Sequence, residues 1–240
     1  MPKELETGYY FEDMMACPCK DAFENISYPW DALTKKDRLM SSLPRDLKGN
    51  VHPTVIITGH VRIGKNTIIH PYTVIEGPAV IGENCEIRPS VMIRSGTFIG
   101  NRVVIGHSTE IKNSIIFDDA KIASGVFVGD SILGKGARIG SGVILGNRRF
   151  DQRMVTVKTG EKKYDTGMEK FGCIIGDYAR LGANCTTSPG VCIGKHTWIG
   201  SNVLVDGCIR SDLILKLKQE LVAKPKERLY LQRADSRGNI

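Results

Sequence analysis

A six-residue period constrains this chain more than any other feature. Counting from Val51, an apolar residue returns at Ile57, Ile63, Ile69, Ile75, Ile81, Ile87, Ile93, Ile99, Ile105, Ile111 and Phe117 without a miss. Glycine follows four of these, at Gly64, Gly82, Gly100 and Gly106, and small or branched residues recur four positions on, as at Thr67, Thr73, Ala79, Cys85 and Val91. An amphipathic helix repeats near 3.6 residues and a lone strand at two. A strict period of six over many units is an internal repeat, which outranks local propensity. It predicts short parallel strands laid along the three sides of a triangular prism, with one aliphatic side chain pointing inward from each side. Gly and Asn between the strands supply the backbone freedom that corners need.

The repeat has two irregularities. Ten residues, not twelve, separate Phe117 from Phe127, so a slip is expected inside Asp118–Val126, with recovery at Phe127, Leu133, Ile139 and Leu145. A break in a strict repeat marks a tolerated deletion or a functional site. Residues 147–172 then leave the pattern, and Arg153 to Tyr164 alternates around Thr159-Gly160 as a hairpin does. Coils resume at Ile175, Leu181, Thr187, Ile193, Ile199 and Val205. The expected organisation is an N-terminal extension and linker helix over 1–50, the prism over 51–210, and a C-terminal cap and tail over 211–240. Residues 1–28 read as polar and irregular, with Tyr9, Tyr10 and Phe11 available for docking. Tyr28 to Leu43 reads as a helix: Pro29 suits its first turn, Trp30, Leu33, Leu39 and Leu43 form an apolar stripe, and Pro44 ends it. Past 209 the pattern leaves strand and helix both open, and the last eight residues are expected to be disordered.

The formal charge is +7, concentrated in the 147–170 segment and the tail. Nucleic acid would need a basic face with interleaved aromatics, which this sequence lacks. A phosphorylated small molecule or coenzyme accounts for local basic residues. No apolar run reaches the ~18 residues of a membrane span, and the opening residues do not read as a signal peptide. Seven cysteines without a paired framework suggest reduced thiols and a cytoplasmic protein. Cys85 and Cys185 occupy small-residue core slots. Cys17-Pro18-Cys19 lacks a second ligand pair at zinc spacing, so no metal is expected and the two thiols read as chance or exposed. His52 and His70 lack a third ligand and read as surface residues.

If a coil holds eighteen residues, residue n stacks on n+18 at about 4.8 Å. Arg94 then lies over Lys112. Two stacked cations repel unless an anion sits between them, so the pair can hold a sugar phosphate; alternatively Glu76 and Glu110 balance it in a solvated ladder. His107 stacks beside Ser124, where its imidazole either reaches a shared cavity or stands exposed at a corner. Arg148, Arg149 and Lys170 offer charges to an anion or form a solvated loop, and Asn147 serves a ligand or a turn.

These segments resemble the hexapeptide-repeat acyltransferases, in particular the acetyltransferase half of bifunctional, archaeal-type sugar-1-phosphate nucleotidylyltransferase/acetyltransferases. Ile93-Arg94 with Glu110-Ile111-Lys112-Asn113-Ser114 is similar to the segment that places arginine and lysine on substrate phosphate. Val128-Gly129-Asp130-Ser131, Ile139-Gly140-Ser141-Gly142 up to Asn147, and Lys170-Phe171-Gly172-Cys173 are similar to the segments that follow. The resemblance covers about residues 25–230. It implies an all-β, left-handed parallel β-helix, an exception to the right-handed crossover rule. It further implies a homotrimer with sites between subunits and acetyl-CoA lying along the prism, its thiol end near Ala183 and Ser201. Outward apolar residues such as Ile68, Val74, Val80 and Phe98 would then meet neighbouring subunits.

The departures bear on activity. The family pattern places a general-base His three residues before a Tyr; here Ser124 replaces the His and Phe127 the Tyr, and Arg138 stands where Asn is usual. A serine hydroxyl accepts no proton near pH 7. One reading is therefore an acetyl-CoA-dependent N-acetyltransferase for an amino-sugar phosphate, with His107 or solvent as base and Glu110 a weaker choice. Arg94, Lys112, Phe127, Asn147 and Lys170 would line its acceptor site. The other is a sugar-phosphate- or sugar-nucleotide-binding scaffold of the same fold that has lost catalysis. No Gly-rich nucleotide loop opens the chain, so nucleotidyl transfer is not expected of it; in the second reading the chain binds a sugar nucleotide or associates with a separate nucleotidyltransferase through residues 1–50.

Overall fold

In a computed structural model that describes residues 2–40 and 44–224, the prism is present from Asp46–Leu47 to Ile214–Leu215. Three parallel sheets form its sides, of nine, nine and eight strands. Sheet A contains Ala79–Ile81, Thr97–Ile99, Ile115–Ile116 and Ile132–Leu133; sheet B contains Val104–Ile105, Lys121–Ile122, Arg138–Ile139, Arg180–Leu181 and Trp198–Ile199; sheet C contains Met92–Ile93, Glu110–Lys112, Phe127–Gly129 and Ile144–Leu145. Each coil crosses A, B and C in turn. This is the parallel prism that the repeat predicted, in the left-handed form that the family resemblance implied.

The register residues Ile63 through Ile111, and Ile175 through Val205, all point into the prism. Burying each Ile removes roughly 1.5–3 kcal/mol of apolar exposure. Buried threonines in the small-residue slots find carbonyl partners: Thr67, Thr73 and Thr109 donate across coils, Thr67 Oγ1 to the Gly82 carbonyl at 2.6 Å, and Thr97 donates within its own coil to Arg94. Corner residues Asn66, Asn84, Asn184 and Asn202 adopt left-handed backbone, which Asn tolerates better than most side chains.

The slip differs from expectation. Ile116 and Val128, not Phe117 and Phe127, face inward. The register pairs Ile99 with Ile116, Ile105 with Ile122, Ile116 with Leu133 and Ile122 with Ile139. Two successive C-to-A corners, 111–116 and 128–133, are each one residue short, so these coils hold seventeen residues. The missing residues are shared between two turns, because one tight corner per coil keeps the inward columns aligned.

Phe117 instead faces outward and belongs to a second core. Residues 2–40 are not a loose extension: Leu5, Tyr10, Phe11, Trp30 and Leu33 pack with Phe98, Ile115, Phe117, Ile132 and Ile174 on the outer face of sheet A. Phe11 stacks on Phe117, centroids 4.7 Å apart. Tyr10 and Phe11 thus dock on their own prism, and Phe98 and Val80 are covered within the chain rather than offered to a neighbour. Cys17 and Cys19 are buried here, not exposed, and all seven cysteines are free. The predicted helix is a 3-10 turn, Pro29–Asp31, running into an α-helix, Ala32–Met40; its expected end at Leu43 and the expected disordered last eight residues lie outside the described residues. Lys36 sits on the buried face of that helix, where the apolar stripe gave no hint of a charge.

The insertion carries the expected hairpin, Thr156–Thr159 with Lys162–Asp165, and Val155, Val157 and Phe171 from it join the second core. After 209 the question of strand or helix resolves to one short strand, Ile214–Leu215, which pairs with Trp198–Ile199.

Candidate functional site

The B-to-C corners carry one column of residues. The Gly125 N–H donates to the His107 carbonyl, Gly142 to Ser124, Asn184 to Ser141 and Asn202 to Ala183. His107, Ser124, Ser141, Ala183 and Ser201 therefore stack coil upon coil: the expected base is next to the residue in the family's His position, while the two expected thiol-end residues share the column three and four coils from His107, roughly 14 and 19 Å at about 4.8 Å per coil. His107 is exposed, with Nδ1 3.3 Å from the Ser108 hydroxyl. Ser124 is half-buried.

Beside this column runs a groove of about 730 Å³ on sheet B, lined by the corner residues Gly106, Ala123, Gly140, Gly182 and Gly200. Small residues here leave the backbone open along the prism. The outer wall of the groove is cationic: Lys121, Arg138 and Arg180 occupy one register on successive coils, Arg88, paired with Glu86 at 3.2 Å, and Lys216 also line it, and among the described residues no Asp or Glu is in the lining. The Arg180 guanidinium lies 5.1 Å over the Trp198 ring, an interaction that holds it in place. Three like charges one coil apart repel, and among the described residues none of the three forms an ion pair, although Lys121 acts at longer range on Asp119. Sequence reasoning missed this ladder because it used an eighteen-residue stack; Lys121 and Arg138 are seventeen apart.

Of the remaining expected residues, Glu110 and Phe127 open strands of sheet C, while Arg94, Lys112, Asn147 and Lys170 lie at or past its far end, toward sheet A. Lys112 follows His107 by five residues, at most about 17 Å along an extended chain. Arg94 and Lys112 do stack, but each has its own acid. Arg94 reaches Glu110 at 3.1 Å and Glu76 at 3.7 Å, and Lys112 lies 3.6 Å from Asp130. The carboxylate ladder thus accounts for Arg94, and Glu110 is tied to it. Phe127 pairs with Glu110 in register. Its ring covers Gly129, where a Cβ would fall 2.8 Å from the ring and 2.6 Å from the Asn147 amide, so a side chain there displaces one of the two. Asn147 donates to Asp130 at 2.6 Å. Lys170 is exposed and bridges to Arg148 through the backbone. Asp130, almost wholly buried, is the hub that the sequence did not single out. Its signal was spacing: Asn113, Asp130 and Asn147 are seventeen apart.

Among the described residues no cluster of His, Cys, Asp and Glu could hold a metal, and no helix is long and apolar enough to cross a membrane.

Comparison with known proteins finds partial matches. A model of the GMPPB C-terminal domain matches residues 75–161. The bifunctional protein GlmU of Methanococcus aeolicus is 38% identical over 206 residues, 86% of this chain and 50% of that protein. "Uncharacterized acetyltransferase YaiX" of Escherichia coli is 42% identical over 120 residues, 50% of this chain and 52% of that protein. The chain therefore spans about half the length of the curated relatives it matches. Among solved structures, a UDP-N-acetylglucosamine acyltransferase from Campylobacter jejuni aligns at 18% identity over 67% of this chain and 68% of its own, with a TM-score of 0.44.

Proposed function

We propose, from the premise that this chain is a hexapeptide-repeat β-helix related to half of each GlmU protein, that it transfers an acyl group from acetyl-CoA to the amine of an amino-sugar phosphate. The observation that carries this reading is the sheet-B groove: open, lined by small corner residues, and flanked by Lys121, Arg138 and Arg180, with no Asp or Glu in its lining among the described residues. A slender pantetheine fits such small-residue corners, and the phosphates of a coenzyme fit the cations. The acceptor phosphate is assigned to Lys112, Asn147 and Lys170 across sheet C, with Arg94 at its edge and Phe127 against the sugar ring. The acceptor nitrogen attacks the thioester carbonyl, the carbon–sulfur bond breaks, and the proton lost by nitrogen ends on the departing thiolate or solvent. Positioning supplies most of the acceleration, and His107, on the same corner column as Ser124, is the nearest imidazole. Metal has no part in this scheme.

A homotrimer in the cytoplasm is part of the proposal. A neighbour would close the open groove, and seven free thiols suit a reducing compartment. A second reading, a binding or scaffold protein partnered with a separate nucleotidyltransferase, draws on a specific observation: among the described residues no imidazole or carboxylate is in the groove lining beside Ser124, His107 standing exposed at the corner one coil away. Thiol release from acetyl-CoA, measured with amino-sugar phosphates including glucosamine-1-phosphate, separates them. Acceptor-dependent release that falls in His107→Ala supports the transferase with a relocated base. Absence of release with every acceptor, from folded protein, supports the binding protein.

A further inference from the structure

We infer that Lys36, on the N-terminal helix, is a positioning residue for the anion site: through Asn113 and Asp130 it fixes Lys112 and Asn147. The inference rests on the acceptor assignment above.

Lys36 has no exposed surface. Its ammonium donates to Asp37 Oδ1 at 3.0 Å and to Asn113 Oδ1 at 2.5 Å. Asn113 passes the interaction on, its Nδ2 donating to Asp130 Oδ1 at 2.6 Å. The other Asp130 oxygen accepts from Asn147 Nδ2 at 2.6 Å and lies 3.6 Å from Lys112 Nζ. Asn113 and Asp130 both adopt left-handed backbone at successive C-to-A corners, with φ of 47° and 49°. The chain of contacts runs from helix to prism to candidate site without a gap.

Direction follows from donor inventory. An ammonium only donates, whereas an amide has one accepting and one donating end. Lys36 therefore holds Asn113 with its oxygen toward the helix and its nitrogen toward Asp130. Asp37 is mostly exposed, 63% of its side chain, so its charge is shared with water. Asp130, nearly buried, is the interior counter-charge, and buried charges need such matching. Without the ammonium the Asn113 amide can turn its oxygen toward Asp130. Asp130 then loses a donor, and Asn147 and Lys112 lose the anchor that orients them. A cavity of about 360 Å³ lined by Ser95, Gly96, Lys112 and Asn113, with Asp37 at its helix side, lies at this end of the network. A ligand there reads the orientation directly.

The test is calorimetric titration of the full chain with glucosamine-1-phosphate and, separately, with CoA. In Lys36→Met the dissociation constant for glucosamine-1-phosphate is expected to rise at least about five-fold, a coupling of ordinary size for a shared network, while that for CoA stays within about two-fold. Asn113→Asp, nearly isosteric, keeps a partner for Lys36 but removes the donor to Asp130. It should show the same selective loss, and it carries the test if Lys36→Met does not fold. Unchanged affinity for both ligands in a folded variant overturns the inference, as does a parallel loss of both, which marks a merely structural role. A wild-type protein that binds CoA but no glucosamine-1-phosphate overturns the acceptor assignment itself, and the inference with it.

Discussion

At Lys112 the side chain balances Asp130 from a partly exposed position, leaving donors for an anion. Lys112→Glu sets an acid against Asp130, and glucosamine-1-phosphate affinity should fall by at least about ten-fold, the worth of one charge-assisted hydrogen bond; titration checks this, and unchanged affinity removes Lys112 from the site. Gly129 gives a second prediction. A methyl there collides with the Phe127 ring and the Asn147 amide, so Gly129→Ala should cost about 1–3 kcal/mol by overpacking, read as a lowered denaturation midpoint. These residues show what sequence can and cannot convey at this scale. Arg94 and Lys112 were legible because their coil holds eighteen residues. Lys121 with Arg138, and Asn113 with Asp130, were not, because the two shortened corners change the stacking interval to seventeen. Spacing to an in-register neighbour is recoverable only once the position of each one-residue deletion is known.

The N-terminal segment behaves as a plate over sheet A rather than as a tether. Trp30 is wholly buried, stacked on Tyr28 at 4.6 Å and near Phe171 at 6.1 Å, so Trp30→Ala should cost about 3–5 kcal/mol and expose residues 2–40 to limited proteolysis before the prism. Ion pairs fasten its edge: Glu12 to Lys195 and Asp13 to Lys135, both at 3.0 Å. The Lys195 hydrogen bond lowers the Glu12 pKa, and the Lys135 hydrogen bond lowers that of Asp13. A depressed carboxyl stabilises the folded state above its ordinary value and loses that contribution as pH falls through the folded one. Burial raises the Asp177 pKa, so that group acts in the opposite sense and favours the folded state in acid. With two exposed pairs against it, amide protection around Glu12 and Asp13 should fall relative to the prism below about pH 4, which hydrogen exchange would reveal. The sequence suggested a helix here but not the plate. Tyr10, Phe11 and Trp30 have no periodicity of their own, and their partners Phe98, Ile115 and Ile174 alternate with the inward residues that carried the repeat.

Across the whole molecule, a rigid prism presents two chemically distinct surfaces a single strand apart: the cationic groove of sheet B and the Asp130 network at the far edge of sheet C. The repeat made the prism legible at once, since eleven aliphatic positions at one spacing, Val51 to Ile111, admit few folds. The site was legible only where a family pattern fell on matching residues; Ser124 and Arg138 depart from it, and their consequence is electrostatic. A groove flanked by three stacked cations favours a polyphosphate ligand, and the most direct measurement is the dissociation constant of CoA for wild type and Arg138→Gln across a range of ionic strength. The account predicts that wild type binds CoA, that affinity falls as salt screens the ladder, and that Arg138→Gln binds at least about ten-fold more weakly with a shallower salt dependence. Equal affinity in both proteins, or no binding by folded wild type, would contradict the assignment of the groove to the coenzyme.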